Sequence, residues 1–346
     1  MTQSSVVGYE AGRPAVGPGR RALDRVAIVL GLAAWLALIG TAGWAALKLV
    51  PDQLSLTLAG KTLTVHNVHD RVVSNALLLF MLLPLAFGIE TATVGWRKSS
   101  LRAVLFDRTA SIKTDLVVLL AGQAHVLDLV GKVLVLGASM ISGLWVRNWL
   151  TATFGVTITP PAMPLPLAVV FWFFVYTFFD YWTHRIDHMR LFWPLHRYHH
   201  SAEDFSVLTS ARQHPAAFTP IFIINLPMAV LGASPEAMIF VNVITIGLGF
   251  LIHSRIDSNW GWIGRWIVQS PNHHRLHHKL DMSKPTGHFA MAPIWDHLFG
   301  TWYGEADQSL AIGVSRPYRH GFNVIPDMAR DYADLWLGFL GRRPEL

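Results

Sequence analysis

Between Val26 and Leu47 the chain runs for 22 residues without one charged side chain. A helix of that length rises about 33 Å, enough to cross a hydrocarbon core of ~30 Å. Three more such runs follow. Val72 to Ile89 contains Pro84, which membrane helices tolerate. Leu116 to Trp145 is broken by His125, Asp128 and Lys132, and Leu165 to Trp182 is dense in aromatics, with Asp180 near its end. The shorter runs Ala216 to Leu231 and Ala237 to Ile252, joined by Gly232-Ala233-Ser234-Pro235-Glu236, have 16 residues each. They reach only about 24 Å, which suits a hairpin dipping into one leaflet. Only 14% of the 346 residues are charged, against ~25% in an ordinary soluble domain. The expected fold is all-α: an integral-membrane helical bundle carrying a helical cap.

Loop charges orient the bundle. Residues 1–25 hold Arg13, Arg20, Arg21 and Arg25, and 97–113 hold Arg97, Lys98, Arg102, Arg108 and Lys113, whereas 51–70 sets Lys61 against Asp52 and Asp70. Basic loops stay on the cytoplasmic side. That places everything after Trp182, the dipping hairpin excepted, in a multi-pass protein's cytoplasmic cap. The absence of Cys excludes disulfides, thiolate nucleophiles, iron–sulfur clusters and Cys-based zinc sites.

Histidine carries the chemistry. Eleven of the 17 His lie between 184 and 278. Asp180, His184 and His188 follow at intervals of four, on one face of a helix, so two imidazoles can grip one ion with a carboxylate a turn away. His196-Arg-Tyr-His199-His200 and His274-Arg-Leu-His277-His278 share the form H-x-x-H-H, and His253 ends the hairpin. At this His frequency roughly 0.04 copies of H-x-x-H-H are expected by chance in the chain. Isolated His66, His69, His125 and His320 read as ordinary polar residues.

Nine imidazoles exceed the four of a closed zinc site, so two metals are the economical inference. Imidazole suits iron, zinc, copper or nickel. No H-E-x-x-H is present, which argues against a metalloprotease. Bis-His haem ligation would leave most of the clusters unused. A zinc hydrolase needs a base at an open metal position, and Glu203 is the nearby Glu. A divalent-metal transport or storage protein would carry its ligands among the spans near mid-membrane, whereas these clusters gather at one mouth of the bundle.

From Asp180 to Trp302 the chain resembles the fatty acid hydroxylase / sterol desaturase superfamily of histidine-rich integral-membrane di-iron oxygenases. The resemblance lies in D-x3-H-R-x2-H, L-H-R-Y-H-H-S, R-Q-H-P at 212–215, L-I-H-S at 251–254, S-P-N-H-H-R-L-H-H at 270–278 and W-D-H-L-F-G-T at 295–301. It implies an O2-dependent enzyme that hydroxylates or desaturates an unactivated C–H bond of a lipid, such as a sterol or fatty acyl chain. Two iron ions are the implied cofactor, with zinc an alternative occupant of the isolated protein. The implied ligands are His184, His188, His196, His199, His200, His253, His274, His277 and His278. His214, in the R-x-H-P segment, is read as a tenth ligand or a supporting group. Where some relatives place a further His or Asn four residues after the His253 position, this chain has Asp257.

Carboxylates are expected to orient the ligand rings, with Asp180 first and Asp281 and Asp296 behind it. Trp295, Phe299 and Trp302 are read as packing, Arg185, Arg197 and Arg275 as facing solvent or phosphate, and His288 as a surface residue. The implied organisation is a polar leader (1–25), an N-terminal membrane region (26–160), a di-metal catalytic region (161–305) and a C-terminal tail (306–346). No flavin, haem or iron–sulfur signature is visible. Electrons are therefore expected from a separate carrier of ferredoxin, rubredoxin or cytochrome b5 type, with the membrane and its lipid as the other partners.

Overall fold

The structure is a computed structural model that describes residues 53–58, 61–66, 81–123, 142–155, 160–280, 287–304 and 309–342, with a few isolated positions besides. Most of the run 26–47, all of 72–80 and the middle of 116–145 lie outside the described residues.

Helices dominate, in keeping with the all-α expectation, and one short strand pair accompanies them. Strands β1 (Gln53–Leu58) and β2 (Lys61–His66) pair antiparallel, Gln53 opposite His66 and Leu58 opposite Lys61. The cause is legible afterwards: Leu54, Leu56 and Leu58 alternate with Ser55 and Thr57, the period of a strand.

The helices that position the site are α1 (Leu83–Val94), α2 (Ala110–Gln123), α3 (Leu165–Asp187), α4 (Trp193–His200), α5 (Pro235–Ile252), α6 (Pro271–His277) and α7 (Ile325–Phe339). Pro marks the first turn of α3, α4 and α6, where its missing N–H costs nothing. At α6 the Ser270 hydroxyl also accepts from the His273 N–H at 3.2 Å. The two long His boxes therefore each ride on a short helix with a fixed start.

Helix α3 extends past the apolar run and is, among the described residues, the one helix long and apolar enough to cross a membrane. Its 23 residues rise about 35 Å. Trp172 and Phe173 pack inward with Ile224, Met228, Ala237 and Val241, so α3 leans on the hairpin, while Leu167, Val170, Ile239 and Phe240 face outward. A second apolar cluster joins Leu83, Ala86 and Phe87 of α1 and Leu119 of α2 to Val207, Leu208 and Phe250.

Buried polar ties then fix α1 and α2 to Arg255 and to the segment that carries Arg212. Glu90 accepts from the backbone and hydroxyl of Ser100, both at 2.6 Å, and from the Arg255 N–H at 2.7 Å. Asp115 pairs with Arg212 at 2.6 Å, both fully buried, and Arg212 also donates to Ser111 and Ser201. Burial pushes the Asp115 carboxyl up, opposed by the guanidinium beside it.

Candidate metal centre

All nine imidazoles singled out in the sequence converge in two groups. His184, His188, His196, His200 and His277 form one, and His199, His253, His274 and His278 the other, with ligand atoms within 4.8 Å of one another in each. The H-x-x-H-H form explains the sorting. Its first and last His are four apart and share a helix face, whereas its middle His points about 100° away from the last. Thus α4 gives His196 and His200 to the first group and His199 to the second. Helix α6 with its C-cap His278 does the reverse, giving His274 and His278 to the second and His277 to the first.

Backbone carbonyls hold four of the nine rings. Nδ1 of His184 donates to the Phe289 carbonyl at 2.6 Å, His199 to Arg212 at 3.1 Å, His253 to Gly249 at 2.7 Å and His277 to Gly287 at 2.8 Å. His274 instead donates to the Gln269 side-chain oxygen at 2.9 Å. These bonds leave each Nε2 with a bare lone pair, and the lone pairs face one another. His253 Nε2 lies 3.2 Å from His199 Nε2 and 2.8 Å from His274 Nε2, and His277 Nε2 lies 3.0 Å from His200 Nε2. Two lone pairs at that distance repel unless a cation sits between them. Nitrogens bound at ~2.1 Å and at right angles to each other would be about 3.0 Å apart, so the donor set fits metal.

Burial, and then the neighbouring imidazoles, hold His188, His196, His199, His200, His274, His277 and His278 well below the usual imidazole range. Burial takes His253 down to about 4. Neutral rings are what metal ligation requires. Phe205 covers the second group, in contact with His253, His274 and His278, and Phe289 and Trp193 border the first.

Several sequence readings change here. Asp180 does not orient His184, whose Nδ1 is already engaged by Phe289; it lines a cavity instead. Asp296 works at one remove: it accepts from the Phe289 and Ala290 N–H groups, both at 2.9 Å, and so fixes the strip whose carbonyl holds His184. Asp281 lies outside the described residues. His214 stands apart from both groups, with Nδ1 accepting from the Ala216 N–H and Nε2 donating to the Met328 carbonyl at 2.8 Å, which braces the 212–217 loop against α7. Asp257 is exposed and accepts from Asn272 at 3.0 Å.

His288 is fully buried rather than superficial. It is stacked parallel to His273, set edge-on to Trp302, and hydrogen-bonded to the Tyr303 carbonyl. Arg197 is also buried, because Asp331 at 2.6 Å and Asp334 at 2.8 Å neutralise it. Arg185 donates to Tyr181, and Arg275 to the Leu310 carbonyl. Glu203 is exposed beside His320, away from both groups.

A cavity of about 430 Å³ opens onto both groups. His184, His196, His199, His253 and His274 line it together with Ile224, Ile246, Ile252, Phe289 and Met291. Residues 169–301, which contain every one of these side chains, match the fatty acid hydroxylase family. This segment is a fatty acid hydroxylase domain.

Relatives of the fatty acid hydroxylase domain bear it out. Alkylglycerol monooxygenase of Xenopus tropicalis is 31% identical over 140 residues, 40% of this chain and 30% of that protein. The Homo sapiens protein of that name is 29% identical over 162 residues, 46% of this chain and 35% of its own. Ornithine lipid hydroxylase OlsE of Rhizobium tropici is 28% identical over 167 residues, 47% of this chain and 50% of its own. The chain thus spans between about a third and a half of the relatives it matches. No solved structure matches it.

Sequence reasoning missed Gln269 within the fatty acid hydroxylase domain, and Asp115 and Glu90 ahead of it. The last two carried a signal, each being an acid at the edge of an apolar run.

Proposed function

We propose that this chain is a membrane-bound, O2-dependent di-iron oxygenase that hydroxylates a C–H bond of a lipid. The observation that carries it is the pair of all-imidazole groups, with lone pairs directed inward, beside a cavity with a largely apolar lining. His184, His188, His196, His200 and His277 would hold one iron, and His199, His253, His274 and His278 the other. When bound, the irons supply the redox chemistry that splits O2 and inserts one oxygen atom into the C–H bond. The balance is one lipid, one O2, two electrons and two protons in, and one hydroxylated lipid and one water out. A separate protein carrier supplies the electrons.

The chain's own residues do three things in this reading. Gln269 and the carbonyls of Arg212, Gly249, Gly287 and Phe289 keep the Nδ1 protons, so every Nε2 they govern stays free for metal. Phe205, Phe289 and Trp193 exclude water from the groups. The cavity's isoleucines and Met291 seat an alkyl chain against them. Helix α3 crosses the bilayer with its His-bearing end on the cytoplasmic side, in a multi-pass topology that the basic leader and the 97–113 segment set.

Metal analysis of the purified protein, with 18O2 turnover of extracted membrane lipid, tests this. Two irons per chain and one 18O per oxidised lipid are expected. Stoichiometric zinc that iron cannot replace, with no labelled lipid, would overturn it.

A further inference from the structure

One side of the cavity is polar, and the metal groups make no use of it. Tyr176, Asp180, Thr183 and Asp187 recur at three- and four-residue spacing on the face of α3 that carries His184, and all line the cavity. Neither Asp180 nor Tyr176 has a hydrogen-bond partner among the described residues. Asp187 accepts from Thr219 through one oxygen at 2.6 Å, and its second oxygen has none. Among the described residues no Arg or Lys pairs with either carboxylate. Gln213, Ser210 and Thr245 add an amide and two hydroxyls to the lining. An acid on an otherwise apolar membrane helix is costly, and such acids face cavities where something polar passes or binds.

We propose that Asp180 and Asp187 bind hydrogen-bond donors, hydroxyl or ammonium groups, at the polar end of the lipid, and thereby direct oxidation to a carbon close to that end. This rests on the oxygenase reading above. Asp180 lies one turn before His184, about 6 Å along the helix, and Asp187 three residues after it, about 4.5 Å. A donor held by either carboxylate leaves the attacked carbon roughly five bonds away. A plain acyl chain oxidised at its middle would press methylenes against the unpartnered oxygens of two carboxylates, a costly contact in such a cavity.

The test uses three probes with the same sixteen-carbon chain: 1,2-hexadecanediol, hexadecylamine and methyl hexadecyl ether. Equilibrium binding is measured on the metal-free full chain in detergent, and product position by mass spectrometry on the iron-loaded chain with O2 and a chemical electron donor. The diol or the amine should bind about tenfold tighter than the ether, as expected for a hydrogen bond to an otherwise unsatisfied buried carboxyl oxygen. The better of the two identifies hydroxyl or ammonium as the recognised donor. New hydroxyls should fall within roughly five bonds of the head group.

Asp180→Asn with Asp187→Asn should erase the binding preference while metal content stays at the wild-type value; the single variants serve if the pair does not fold. Equal binding of all three probes, mid-chain oxidation, or a preference that survives in the variants would each overturn the proposal. If the wild type oxidises no lipid at all, the oxygenase reading falls. The binding preference of the metal-free chain still judges the carboxylates separately.

Discussion

Gln269 holds the Nδ1 proton of His274 on its side-chain oxygen at 2.9 Å while its amide donates to the His288 carbonyl at 2.6 Å. A single neutral side chain thus fixes one ligand ring and ties it to the strip that precedes Phe289. Replacement by Leu frees the ring to flip. Outer partners of ligand histidines are worth about 10- to 100-fold in metal affinity. Gln269→Leu should therefore surrender metal to a chelator at correspondingly lower concentration, and Gln269→Glu, which keeps the acceptor, should hold it better. Chelator titration followed by metal analysis reads the difference.

The two groups share no residue, so each can be emptied separately. His253→Ala removes one of four ligands from the second group and none of the five in the first. The expected outcome is a fall from two metals per chain to about one, with turnover lost and membrane insertion kept. His188→Ala should produce the complementary species. Metal content that stays at two in both variants would contradict the division.

Arg197 is buried between Asp331 and Asp334 and also donates to Tyr318 at 3.0 Å. Cutting it to Met takes the buried guanidinium from both acids and leaves Asp334 only the partly exposed Arg316, and Asp331 only Arg330 at 3.9 Å. Breaking a buried pair in this way costs about 3–5 kcal/mol, so Arg197→Met should unfold at markedly lower temperature in detergent. Thermal unfolding monitored by circular dichroism is the check.

Acid should weaken the fold through His288. Burial takes its imidazole down to about 4 from an ordinary value near 6.5. In the folded chain it stays neutral where the unfolded chain takes up a proton. Its share of stability is therefore complete above pH 6.5 and is lost as pH falls toward 4, about 3 kcal/mol in all. His288 has φ +57°, a conformation Asn tolerates. His288→Asn should flatten the decline of unfolding temperature between pH 6.5 and 4. An unchanged slope would assign the acid sensitivity elsewhere.

What could be read from the chain depended on range. The nine imidazoles were visible because ligand pairs three or four residues apart are a local property of one helix. Their division was not: His199 and His200 are neighbours in sequence yet serve different groups, and only the approach of α4 to α6 settles which. The same limit hid the carbonyls of Arg212, Gly249 and Gly287, since any residue has a carbonyl and only the fold selects one. Asp180 was singled out for its spacing, but spacing gives a face and not a partner; the partner of His184 comes from Phe289, 105 residues on. The strand pair at 53–66 was missed for another reason, because loop charge was weighed there and alternation was not.

The crossed sorting of the two boxes has a consequence for assembly. If each group holds an ion, as proposed, that ion would take ligands from both α4 and α6, and would tie together segments some 75 residues apart before a second ion arrives. Once tied, the imidazoles of the other group are already near their final places, and the next ion meets a preformed nest. With both groups intact, uptake by such a lattice would be cooperative: half-loaded wild-type chains would be scarce, and a shortage of metal would divide the population into full and empty molecules.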